Sequence, residues 1–179
     1  MLQKSSNWQT LGVFFESPTK EHYLMDISRQ IGIAHTSVKN NLKSLVKQGL
    51  IQENVEKKGT RKFPIFKANL DSRKFKRSKQ IYNLTMFLES GIIEFIEEKL
   101  TPNTIVLFGS YQRGEDIEDS DIDVFVEYKQ KDLNISKFEK KLRRKVQLHF
   151  KEKFTSYPNE LKNNIINGVV VQGFLEGYK

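Results

Sequence analysis

Apolar residues recur at helical spacing through the first third of the chain and then switch to strand-like alternation. Trp8–Phe15 is apolar-periodic and ends at Glu16-Ser17-Pro18, where the proline disfavours helix at the residue before it. A second helix is expected from about Glu21 to Gln30, with Leu24, Ile27 and Ile31 on one face and Gly32 suited to a left-handed end. A third is expected over about Thr36–Gln48, carrying Val38, Leu42, Leu45 and Val46 as its apolar stripe and stopped by Gly49. Leu50–Val55 and Phe63–Ala68 then read as two strands of a hairpin, whose Gly59-containing loop holds Lys57, Lys58, Arg61 and Lys62.

The pattern returns to helix after Ala68. Asp71 or Ser72 can cap a helix whose basic first turns lead into Ile81, Leu84, Leu88 and Ile92 on one face, with Phe87 and Phe95 nearby. Gly91 marks a kink or a break. Thr104–Phe108 reads as a fully buried strand, and a second strand follows at Asp121–Val126. A helix over Ile135–Arg144, a strand over Lys145–Phe150, and a short helix then strand within Leu161–Phe174 complete the chain. The expected organisation is residues 1–70, a helical connector over 71–100, and a second domain over 101–179.

Charge sharpens this division. Of a formal net charge of +8, residues 1–80 carry 16 Lys+Arg against 6 Asp+Glu, and residues 81–179 carry 14 against 16. A basic half joined to a near-neutral half suggests that one part meets a polyanion while the other does separate work; a solvated basic surface is the plainer alternative. The 179 residues include no cysteine, which removes disulfides and thiolate metal sites and suits a reducing compartment. No apolar run approaches a membrane span, and the stretch Met1–Ser6 lacks the apolar block of a secretory leader, so a cytoplasmic protein without membrane partners is expected.

The run Ile27–Leu42, followed by Leu45-Val46-Lys47-Gln48-Gly49-Leu50-Ile51, resembles the winged helix-turn-helix domains of transcription regulators over about residues 7–70. Ala34 departs from the hydroxyl residue those proteins usually place as helix cap. The resemblance implies double-stranded DNA as partner. The outward face of the third helix then offers His35, Thr36, Ser37, Lys39, Asn40 and Lys43, the polar ones suited to base edges and the lysines to phosphate. The hairpin's Lys57, Lys58, Arg61 and Lys62 would touch phosphates beside the groove. The same residues also read as a solvated amphipathic face, and winged helices also serve as protein–protein modules.

Chemistry concentrates between the two strands of the second domain. Gly109 permits close backbone approach to a ligand, and exposed amides beside the Ser110 hydroxyl can hold phosphate oxygens. Asp121 and Asp123, two apart in a strand, point to one face while Ile122, Val124 and Val126 point to the other. Adjacent carboxylates repel unless a cation lies between them, and Mg²⁺ takes oxygen ligands and bridges carboxylates to nucleotide phosphates.

Gly109-Ser110 followed by Asp121-x-Asp123 resembles the nucleotidyltransferase motif of the polymerase-β superfamily, particularly its minimal nucleotidyltransferase branch. The resemblance implies that Gly109 and Ser110 hold a nucleoside triphosphate, with Arg113 and Gly114 in the same loop, and that Asp121 and Asp123 are catalytic ligands of Mg²⁺ or Mn²⁺. The fold class expected is α+β: an N-terminal winged helix-turn-helix, a helical connector, and a C-terminal polymerase-β-type fold with a mixed sheet and flanking helices. Active members carry a third carboxylate on a later strand; here Gln147 stands at that position, and His149 shares its face. An amide neither acts as a base nor holds Mg²⁺ as a carboxylate does. Two functional expectations therefore stand side by side: a DNA-binding Mg-dependent nucleotidyltransferase, and a non-enzymatic transcription regulator or antitoxin whose second domain is a nucleotide sensor or dimerisation module. Minimal nucleotidyltransferases act with helical HEPN-type partners in toxin–antitoxin pairs, which would make a protein side chain the acceptor; a homodimer is a further expectation.

Overall fold

The structure is a computed structural model that describes residues 5–176; residues 1–4 of the N-terminal stretch read above, and the side chain of Lys58, lie outside the described residues. The fold is α+β, and the chain divides into two compact units, 1–79 and 80–179.

The first unit consists of α1 (Ser6–Glu16), α2 (Leu24–Ile31), α3 (His35–Lys47), β1 (Ile51–Lys58) and β2 (Arg61–Ala68), with the opening turns of α4 (Arg73–Ser90). Ser5 caps α1 by accepting from the Trp8 amide, and α1 buries Leu11, Val13, Phe14 and Phe15. Its Phe15 ring lies 5.1 Å from Phe75 of α4 and 5.7 Å from Trp8. Helix α2 starts three residues later than the periodicity suggests because His22 forms a backbone bridge to Phe66 of β2, a pairing no local pattern discloses. Gly32 takes the left-handed conformation (φ 66°) that ends α2, and Ser28 Oγ donates to the Ile33 carbonyl at 2.6 Å, holding the turn into α3. Ala34 provides no side-chain cap to α3, which is anchored instead by buried Val38, Leu42 and Leu45. The hairpin strands run further than their alternation indicates. Only Gly59-Thr60 connects them, so the four basic residues lie on the strands, with Lys57 opposite Lys62 and Lys58 opposite Arg61.

Ser72 caps α4, accepting from the Phe75 amide at 3.3 Å. The apolar stripe expected to face inward does so only in part: Ile81 is 61% and Leu88 45% exposed, whereas Leu84 packs against the core and Ile92, beyond the break at Gly91, is fully buried. The buried residues of α4 are Phe75 and Lys79 in the first unit and Asn83, Phe87 and Ser90 in the second. At Gly91 (φ 84°) the chain turns into α5 (Ile92–Leu100), with Ser90 Oγ accepting from the Ile92 amide.

The second unit is built on a four-stranded sheet in the order β5-β4-β3-β6, comprising β3 (Thr104–Phe108), β4 (Ile122–Glu127), β5 (Val146–Lys151) and β6 (Val169–Gly173). Strand β4 pairs antiparallel with β3 and parallel with β5, and β6 pairs antiparallel with β3. Ile105, Leu107, Ile122, Val124 and Val126 pack on one face against Phe87, Ile92, Ile93, Ile96 and Leu100, and against Phe138 and Leu142 of α7 (Ser136–Leu142). On the other face Val106, Phe108 and Phe125 are covered by Phe154 and by Ile165 of α8 (Asn159–Ile166). That cover reaches only part of the second face.

Candidate active site

The uncovered part of the second face carries the acidic pair. Strand β4 alternates so that Ile122, Val124 and Val126 go into the helix-covered core, leaving Asp123 and Phe125 on the opposite side. Asp121 immediately precedes β4, whose first residue is tied to the chain before β5, the Ile122 amide donating to the Lys145 carbonyl at 2.8 Å. Parallel pairing sets Asp123 against Gln147 and Phe125 against His149. The side chains interleave: Gln147 Nε2 donates to Asp121 Oδ2 at 2.5 Å, and His149 Nε2 lies 3.0 Å from Asp123 Oδ1. Gln147 and His149 are two apart on β5 and share a face, so their partners Asp121 and Asp123 share it too. The His149 ring rests 5.2 Å from Phe108, and its side chain is 27% exposed, as is that of Asp123.

Gly109 opens α6 (Gly109–Arg113) directly after β3 with φ 80°, a conformation that favours glycine. A Cβ there would collide with Asp123 Oδ2 and lie 3.2 Å from its Cγ. The residue read from sequence as making room for a ligand thus first makes room for the Asp123 carboxylate, packing the turn and the acid together. Ser110 is half-buried in the same turn. Gly114 adopts the left-handed conformation that caps α6. Arg113 is exposed and turned to Glu115, Nε to Oε2 at 2.9 Å.

Three residues that sequence reasoning passed over hold this turn in place. Asn83 Nδ2, buried on α4, donates to the Tyr111 carbonyl and to Asp116 Oδ1, each at 2.8 Å. Asp116 is 2% exposed, and Arg144 approaches it with NH2 3.7 Å from Oδ2. A buried carboxylate needs such partners, because desolvation without them is costly. The single available signal was a polar residue, Asn83, beside Leu84 in an apolar stripe of which Ile81 and Leu88 proved to be exposed.

Two carboxylates supply an oxygen set of the kind that Mg²⁺ accepts when substrate phosphates complete its shell. Among the described residues no group of three or more His, Cys, Asp or Glu side chains is placed to hold a metal by itself. The pair therefore fits a cation that arrives with a phosphate ligand, and does not fit a closed structural metal site.

In the first unit, His35, Thr36, Lys39, Asn40 and Lys43 are exposed on α3, while Ser37 is half-buried. Lys57, Arg61 and Lys62 are exposed at the tip of the hairpin. These groups form a second candidate surface, distinct from the acidic pair.

Residues 89–171 match the nucleotidyltransferase domain family, and the mixed α+β architecture agrees with that match. No curated protein matches the chain at a significant level. Among solved structures, one described as a possible transcriptional regulator from Methanosarcina mazei Go1 is similar at 14% identity, over 53% of this chain and 74% of that one, with a TM-score of 0.36. Among the described residues no helix is long and apolar enough to cross a membrane.

Proposed function

We propose that the second unit binds a nucleoside triphosphate with Mg²⁺ or Mn²⁺ and transfers its nucleotidyl group to an acceptor hydroxyl, and that the first unit is a winged helix that binds double-stranded DNA. The observation that carries the reading is the convergence of Asp121 and Asp123 on the exposed face beside the Gly109 turn, within a segment that matches the nucleotidyltransferase domain family.

In this reading Asp121 and Asp123 hold the cation, while Gly109 and Ser110 hold the triphosphate, with Arg113 and Gly114 in the same turn. The divalent ion, when bound, neutralises charge on the phosphates and on the departing pyrophosphate. The acceptor oxygen forms a bond to the α-phosphorus as the bond from that phosphorus to the α–β bridging oxygen breaks; pyrophosphate leaves and the acceptor's proton passes to solvent. The chain contributes positioning and charge placement, which supply much of the rate enhancement in phosphoryl chemistry. A helical HEPN-type protein is the acceptor to offer first, as the family resemblance suggests.

The basic hairpin supports the DNA half of the proposal. Like charges directly opposite on paired strands destabilise a hairpin, yet Lys57 faces Lys62 across the pair. A polyanion beside them relieves that repulsion. Lys39 and Lys43, exposed on α3, add positive charge to the same unit.

A second reading, a nucleotide sensor without turnover, is favoured by one observation. The β5 side chain that meets Asp121 is an amide, Gln147, so no third carboxylate completes the face. Incubation with α-labelled nucleoside triphosphates, divalent cation and cell extract separates the two. Label transfer that disappears in Asp121→Ala/Asp123→Ala supports the transferase; nucleotide binding with no transfer to any acceptor supports the sensor.

A further inference from the structure

Strand β5 turns two side chains toward the acidic pair, and neither is a carboxylate. Gln147 meets Asp121 at Oδ2, and His149 meets Asp123 at Oδ1. The strand therefore brings no anionic donor to this face. Two residues beyond the amide, on the same side, it brings a nitrogen donor instead. Neutral imidazole is the commonest of protein metal ligands.

The geometry around His149 suits that use. Its Nε2 lies 3.0 Å from Asp123 Oδ1. Metal–ligand bonds of about 2.1 Å meeting at right angles set their two donor atoms about 3.0 Å apart. Both atoms can therefore meet one cation at the separation they already have, the ion taking the place of the hydrogen that otherwise joins them. The imidazole ring is steadied by Phe108, with centroids 5.2 Å apart, and by its strand, where it pairs with Phe125 of β4. Both side chains are partly exposed, so an ion can reach them from solvent. Two such donors leave most of the ion's shell open, as an ion that arrives on phosphate requires.

We propose that His149 is a ligand of the divalent cation beside Asp123, and that the site thereby favours first-row transition ions over Mg²⁺; this rests on the reading that the acidic pair holds a cation with a triphosphate. Mg²⁺ is a hard ion that keeps to oxygen donors. Affinity for sites with nitrogen donors rises from Mn²⁺ to Co²⁺ and Ni²⁺. Two neutral side chains on β5 also leave this face less negative than a third carboxylate would. That weakens the hold on Mg²⁺ more than on an ion that gains a nitrogen bond.

Pulsed electron paramagnetic resonance of Mn²⁺ bound with inorganic tripolyphosphate to the full, untagged chain tests this, because tripolyphosphate contains no nitrogen. An imidazole nitrogen coupling is expected in the wild type. It is expected to persist in His22→Gln/His35→Gln, which leaves His149 as the one histidine of the three, and to vanish in His149→Phe, which keeps a ring against Phe108. Calorimetric titration with the Co²⁺ and Mg²⁺ complexes of tripolyphosphate is expected to show a preference for Co²⁺. In His149→Phe the Co²⁺ complex is expected to bind more weakly by at least the roughly 10–100-fold that loss of an outer-shell partner costs, while the Mg²⁺ complex changes far less. His149→Asp, which supplies oxygen, is expected to reverse the preference. Mn²⁺ held without nitrogen coupling, a coupling that survives His149→Phe, or equal losses of the Co²⁺ and Mg²⁺ complexes would each overturn the proposal and leave the acidic pair in place. A wild type that holds no Mn²⁺ at all would overturn the underlying reading with it.

Discussion

Gln147 of β5 donates its amide to Asp121, placing a neutral side chain where a third carboxylate would face the acidic pair. Gln147→Glu is expected to exchange stability without metal for stability with it. A third negative charge beside Asp121 and Asp123 lowers the thermal midpoint in chelator, since adjacent carboxylates disfavour one another's ionisation. Added Mg²⁺ then raises the midpoint of the variant more than that of the wild type; where the ion stands at roughly a hundredfold the variant's dissociation constant, it stabilises the variant by about 2.7 kcal/mol. Thermal unfolding with and without Mg²⁺ checks this. Equal shifts in the two proteins would remove Gln147 from the cation's surroundings.

Gly109→Ala tests the contact between the turn and the acid. The left-handed backbone alone costs an alanine about 1–2 kcal/mol, and its methyl would also displace Asp123. The expected result is a lowered thermal midpoint together with lost cation-dependent nucleotide binding. Retained binding at wild-type affinity would show that Asp123 need not occupy its present position.

The hairpin gives a prediction in which stability and binding move oppositely. Lys62→Glu turns the Lys57–Lys62 repulsion into an attraction, and cross-strand pairs are worth roughly 0.2–1 kcal/mol. The variant is expected to be slightly more stable and to bind duplex DNA more weakly. Lys39→Ala and Lys43→Ala should each lower the slope of log K against log salt by about one if each lysine meets a phosphate. Slopes unchanged in all of these variants would remove this surface from the DNA contact.

Asn83→Leu removes the amide that joins the Tyr111 carbonyl to Asp116. The Tyr111 carbonyl keeps the Gly114 amide and Asp116 keeps Arg144, so the loss is of two hydrogen bonds worth about 0.5–1.5 kcal/mol each, and a lowered midpoint is expected. Nucleotide affinity should fall as well, because the loop between α6 and β4 loses an anchor.

Much of this site was legible in the sequence, and the reasons are local. Thr104–Phe108 is a short apolar run bounded by Pro102-Asn103 and by Gly109, and it forms β3. Asp121-Ile122-Asp123 alternates at strand period, and that period alone sets the two acids on one face. What escaped depends on residues far apart in the chain. The burial of Asn83 instead of Ile81 follows from partners at Tyr111 and Asp116, and apolar spacing assigns the opposite side of α4 to the core. The late start of α2 follows from His22 pairing with Phe66. The contact of Gly109 with Asp123 arises only once β3 and β4 lie side by side.

Burial raises the Tyr157 phenol above its ordinary value, because desolvation disfavours the phenolate. The unfolded chain therefore gives up this proton first. The stability that Tyr157 contributes is whole below pH about 10 and is lost as pH rises through the folded value. Tyr157→Phe is expected to flatten the fall in denaturation midpoint above that pH; an unchanged fall would assign it to other groups.

Calorimetric titration of the full chain with nucleoside triphosphates, in the presence of Mg²⁺ or Mn²⁺ and in its absence, tests the acidic pair most directly. Binding is expected only with the divalent ion, and is expected to vanish in Asp121→Ala/Asp123→Ala while the fold is retained. Equal affinity in the double variant, or no binding of any nucleoside triphosphate to the wild type with either ion, would contradict it.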